Sequence, residues 1–232
     1  MAPQPTNPIP VPQVPIHEEY KPLFASINAF VHNYMSKYDN SHDYNHILRV
    51  VSNANRILQA ELVRDPSVSY DTTALFLAAL LHDVGDHKYV RPGQNAERQI
   101  LDILEDHGSN YELAVVVDNI VNHVSYSHEI REPVITAGVL AAYPELAIVQ
   151  DADRLDAVGA VGIGRCFSYG AAKMPDQPMD RAIEHFEEKL FKLEGMMKTE
   201  TGKQMARKRT EVLRDFARQW EEETELSFDV LQ

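Results

Sequence analysis

Along most of this chain apolar residues recur at the three- and four-residue spacing of a helix, and no segment shows a convincing strand alternation. The pattern predicts helices over roughly 21–37, 43–63, 72–84, 94–107, 111–123, 144–166, 179–198 and 203–225. Breakers punctuate them: Pro66, Pro92-Gly93, Gly108-Ser109-Asn110, Pro133, Pro144, Pro175 and Pro178 fall between periodic segments. Thr73 to Leu81 is apolar on nearly every face, with Asp71 as its N-cap, so it belongs in the core and ends at His82 and Asp83. The last two helices carry Phe186, Leu190, Leu193 and Met197, then Val212, Phe216 and Trp220, against alternating charges. They are amphipathic and peripheral.

The expected fold is all-α: a single domain over 20–225, with peripheral C-terminal helices and a short tail at 226–232. Prolines at positions 3, 5, 8, 10, 12 and 15 exclude helix there and predict a disordered or polyproline II tail over 1–19. No apolar run is long enough to span a bilayer and the N-terminus lacks the pattern of a signal peptide, so a soluble, cytoplasmic protein with no membrane partner is expected. A net charge of −13 argues against binding long nucleic acid, while a small anionic substrate remains compatible with locally clustered basic residues. The single cysteine, Cys166, excludes an intramolecular disulfide and sits in an apolar helical context, where it packs.

Three segments carry candidate chemistry. His82-Asp83 closes the apolar run, and adjacent helical side chains diverge by roughly 100°, so the two converge only on an atom between them. An isolated pair of this kind is ordinarily structural. His46 shares the stripe of Val50, Ala54 and Ile57 and therefore points inward. Asp151, Asp153 and Asp156 lie in an otherwise apolar helix, where ionised carboxylates cost several kcal/mol each without partners. Arg154 serves only some of them. Taken together, two imidazoles and two carboxylates suit Mn, Fe, Co or Zn better than Ca.

The stretches "SHDYNHILRV", "AALLHDVGDHKY" and "VQDADRLDAVGAVGIGRCFSYG" resemble the motifs of the HD-domain metal-dependent phosphohydrolase superfamily, nearest to small members that include bacterial nucleotide pyrophosphohydrolases. The resemblance runs from about residue 20 to 223. It implies an HD-domain helical bundle in which His46, His82, Asp83 and one aspartate of the last motif bind a single divalent metal: Mn, favoured, or Fe, Co, Mg or Zn. The superfamily's Ala-Asp-Arg-Leu-like core selects Asp153 as that aspartate; Asp151 is then a buried partner for a basic residue such as Arg154, or is itself the ligand.

The same resemblance makes Asp86 a general acid or base; Lys88, which follows closely, can balance phosphate charge as a point donor, with Arg49 and Lys173 as substrate-binding candidates and Arg91 and Arg165 as further ones. Tyr44, Tyr89, Tyr126 and Tyr169 are candidates for stacking on a base. Dinuclear members need two further histidines; His123 fits one position, Asn95 stands near the other, and His107 reads as a helix C-terminal residue. The expected function is hydrolysis of a small phosphorylated metabolite, most plausibly a nucleotide, by metal-activated water. The competing readings are a di-iron oxygenase and a metal-binding regulatory protein with little catalysis.

Overall fold

The computed structural model describes residues 9–85 and 98–228. Among them are eleven α-helices and no strand: α1 (Lys21–Met35), α2 (Tyr44–Arg64), α3 (Thr72–Leu81), α4 (Gln99–Asp106), α5 (Tyr111–Asn122), α6 (Tyr126–Arg131), α7 (Pro133–Ala142), α8 (Glu145–Asp156), α9 (Gly159–Lys173), α10 (Asp180–Glu188) and α11 (Glu200–Thr224). Helix α3 is the axis. It starts where the Asp71 carboxylate accepts the Ala74 amide at 2.9 Å, and every residue from Thr73 to Leu81 is buried. Helices α1, α2, α5 and α8 pack around it. Each enclosed Leu or Phe contributes about 1.5–3 kcal/mol relative to exposure, which fixes where the chain turns after α3.

Helix α2 starts on Asp43, whose side chain accepts the His46 amide at 3.1 Å. Its buried stripe of His46, Ile47, Val50, Ala54, Ile57 and Leu58 lies against α8 and α3. Residues 9–17 form neither helix nor strand, and they are fastened to the body. The Pro10 carbonyl accepts from Asn28 Nδ2 at 3.0 Å and from the Tyr44 hydroxyl at 3.3 Å, while Val14 and Ile16 pack on the core.

Two predicted helices differ from the observed ones, and one further region holds helices that the pattern does not predict. The single helix expected over 144–166 is two, because Val158 is extended and Gly159 has φ +79°, a left-handed conformation that costs an L-residue about 1–2 kcal/mol. Glycine is required again at Gly162, where a Cβ would lie 2.2 Å from the Ala157 carbonyl oxygen. The helix expected over 179–198 stops at Glu188 and continues as the 3₁₀ turns Leu190–Lys192 and Glu194–Met196, which bury Leu190 and Leu193 without an α-helical register. Finally, α6 and α7 occupy a region where no helix is predicted. Helix α7 is apolar all round yet has one buried residue, Thr136, so it lacks the two-faced pattern that periodicity detects. Among the described residues no helix is long and apolar enough to cross a membrane.

Candidate metal centre

The ends of α2, α3 and α8 bring four predicted donors to one point. His46 Nε2 lies 3.1 Å from His82 Nε2, 3.2 Å from Asp83 Oδ2 and 3.6 Å from Asp153 Oδ1. His82 Nε2 lies 3.6 Å from Asp83 Oδ2 and 3.7 Å from Asp153 Oδ1. Separations of this size are what nitrogen and oxygen donors about 2.0–2.2 Å from one ion impose on each other. His46, His82 and Asp83 form a group able to hold a metal ion.

The hydrogen-bond chemistry fits a cation as well. His46 Nδ1 is 2.7 Å from Asp156 Oδ2 and His82 Nδ1 is 2.9 Å from the Ala79 carbonyl. Both partners only accept, so each Nδ1 donates, and in the neutral rings the two Nε2 lone pairs face each other. Asp83 Oδ2 is buried beside them with no hydrogen bond. Burial alone lowers the His46 pKa, but the Asp156 and Asp83 carboxylates together raise it. Burial raises Asp83, against which the His82 and His46 rings hold it well below the usual carboxylate range. A carboxylate kept ionised beside two imidazole lone pairs is a ligand set for a cation.

Asp156 organises this set from behind. Its carboxylate accepts from His46, from Arg49 Nε at 2.7 Å and Nη2 at 3.0 Å, and from Arg165 Nη1 at 3.1 Å. Burial would raise its pKa; those partners hold it far below the ordinary value. Arg49, expected on substrate, is thus engaged by Asp156. Lys173 pairs with Asp39 at 3.0 Å and is not among the described residues that line the cleft.

Asp151 faces elsewhere. It accepts the Lys198 amide, the Thr199 amide and the Thr199 hydroxyl at 2.7–2.8 Å, so its oxygens are committed to the start of α11. The expected pairing with Arg154 is not made; Arg154 joins Glu129 and the Met196 carbonyl. His123 Nδ1 donates to the Asn119 carbonyl, and His107 caps α4 against Ser26 Oγ. Asp86, Lys88, Tyr89, Arg91 and Asn95 lie outside the described residues.

The family model for the HD domain matches residues 43–158, the stretch that carries all four donors. This chain belongs to the HD domain family. It is 33% identical over 202 residues to the uncharacterized protein YpgQ of Bacillus subtilis, covering 85% of this chain and 91% of that one. The crystal structure of Bacillus subtilis YpgQ in complex with ADP is similar with a TM-score of 0.64 at 30% identity, over 85% of this chain and 92% of that chain. An HD-superfamily hydrolase from Bacillus thuringiensis is similar with a TM-score of 0.62 at 32% identity, over 87% of this chain and 95% of that chain. The all-α architecture is therefore that of HD-superfamily hydrolases.

The HD donors open into a cleft of about 370 Å³. Beyond them its described walls carry His42, Ser125, Tyr126, His128, Arg131, Arg165 and Lys189. His42 meets the His46 ring edge-on, 6.0 Å between centroids, and burial lowers its pKa. His128, Arg131 and Lys189 escape sequence reasoning because α6 carries no periodic signal and Lys189 stands past the end of α10. His42 lies inside the stretch "SHDYNHILRV", four residues before His46, a signal that sequence reading leaves unused.

Proposed function

We propose that this HD protein is a small cytoplasmic phosphohydrolase that uses one divalent metal, manganese by preference, to hydrolyse a phosphoester or phosphoanhydride bond of a nucleotide. The observation that carries the reading is the cluster of His46, His82, Asp83 and Asp153 at the floor of a cleft whose walls bear Arg131, Arg165 and Lys189. Two carboxylates balance a divalent ion, and the cationic walls balance phosphate. When bound there, the metal lowers the pKa of water and polarises a phosphoryl oxygen. That Bacillus subtilis YpgQ crystallises with ADP supports a nucleotide as the ligand.

In this reading His46, His82, Asp83 and Asp153 hold the ion, and Asp156 fixes the ring of His46 by accepting from its Nδ1. Arg49 and Arg165 keep Asp156 ionised and in place. Asp86 is the general acid or base that passes a proton to the leaving group, and Lys88 balances phosphate charge.

The test is release of phosphate and pyrophosphate from nucleotides and sugar phosphates with Mn, Mg, Co and Fe added separately. Nucleotide hydrolysis strongest with Mn is expected, and Asp86→Asn should lower turnover about 10²-fold or more at unchanged metal content. Silence across the whole panel would reject the phosphohydrolase reading, and equal turnover by Asp86→Asn would reject the role of Asp86.

A further inference from the structure

Helices α9 and α10 form a hairpin joined by residues 174–179, with Cys166 Sγ 3.7 Å from the Ala182 carbonyl across it. At one end of the hairpin Arg165 and Lys189 line the metal cleft. One turn further along each strand of the hairpin, Tyr169 and His185 line a second chamber of about 390 Å³ between the same two helices. Phe167, Met174, Pro178 and Met179 make its walls almost wholly apolar, in contrast to the charged cleft beside it. The boundary between the two spaces is the Tyr169–His42 ring contact, 6.0 Å between centroids; His42 in turn meets His46 at 6.0 Å.

A charged cleft and an apolar chamber one helical turn apart call for a ligand with one anionic end and one flat apolar end. An aliphatic chain would satisfy the walls but not Gln177; Arg181 and His185, both paired with Glu188, add further polar edges to the same chamber. A heterocycle meets both requirements, since its faces pack on rings and thioethers while its edges accept and donate hydrogen bonds. Gly170 lines the chamber from inside α9, and a Cβ there would meet nothing within 4 Å, so a larger side chain at this position enters open space.

We infer that the α9–α10 chamber is the nucleobase subsite of this enzyme, with the phosphates reaching past His42 and Tyr169 to the metal centre. The inference rests on the nucleotide reading above and adds to it the residues that hold the base. Filling the chamber tests it. Gly170→Leu, and Met179→Trp at an exposed rim position, should raise KM for ATP about tenfold or more and leave hydrolysis of inorganic tripolyphosphate within twofold of wild type. Calorimetry with adenosine alone should show saturable binding to wild-type protein, weakened about tenfold or more in both variants.

ATP turnover unchanged in both variants would overturn the subsite, as would equal losses on ATP and tripolyphosphate. If wild-type protein releases phosphate from no nucleotide but binds adenosine in a way Gly170→Leu abolishes, the subsite stands and the hydrolase reading falls. If nucleotides are hydrolysed while adenosine does not bind, the hydrolase reading stands and the subsite falls.

Discussion

Asp151 and Asp153 are two positions apart on α8 and therefore point to opposite sides of it, about 200° around the axis. Their chemistry divides accordingly. Asp153 faces His46 and His82, whereas Asp151 satisfies two amides and a hydroxyl at the start of α11. Removing the first should cost the metal and little of the fold; removing the second strands buried donors. Asp153→Ala is expected to abolish Mn binding while the metal-free protein unfolds in urea within about 1 kcal/mol of wild type. Asp151→Ala should lose about 2–4 kcal/mol. Equal Mn affinity in the two variants would show that the donor set is wrong. Composition and spacing could not separate these carboxylates, because Gln150, Asp151, Ala152, Arg154, Leu155 and Asp156 are all buried and the helix has no solvent face to give a phase. For the same reason Asp156 is visible in the sequence as a buried charge but not as the support of His46.

At the scale of elements, what periodicity carries was recovered and what backbone conformation carries was not. The apolar run of α3, its Asp71 cap and the inward stripe of α2 follow from side-chain pattern alone, and the metal donors sit at the ends of those helices. The break between α8 and α9 depends on one residue's φ, and the apolar pattern passes through it unaltered. Gly159→Ala should therefore cost about 1–2 kcal/mol in denaturant unfolding, since it meets both the left-handed backbone and the Arg209 side chain 3.1 Å away. Mn affinity should be unchanged, because Asp153 and Asp156 precede the break. A loss of metal binding in this variant would mean that the angle between α8 and α9 sets the donors. The 3₁₀ turns after α10 and the one-sided burial of α7 are illegible for the related reason that their side chains do not repeat at 3.6 residues.

Across the whole molecule the donors come from α2, from the turn after α3 and from α8, segments far apart in sequence that meet only when the core is formed. An ion there binds the folded chain and not the unfolded one, so it stabilises by mass action: about 2.7 kcal/mol at a hundred times Kd. For a chain of this size that corresponds to a rise in Tm on the order of 5–10 °C. Thermal melts with Mn and then with excess chelator should show that difference, and His82→Ala should abolish it. A melt indifferent to both would exclude metal binding at this centre. The core and the ion thus reinforce each other.

Beyond Arg165, which reaches Asp156, the hairpin stands apart from that coupling. Helix α10 packs on α9 and the turn that follows, and α9 on α11 and the end of α8, whereas the donor-bearing α2, α3 and α8 are packed against one another. A substitution in α3 disturbs neighbours on every side; one between Cys166 and Ala182 is felt locally. Natural drift, or a randomised library confined to that stretch, could then recruit new molecules to an unchanged reaction, with selectivity evolving on one hairpin while the hydrolytic chemistry is inherited intact.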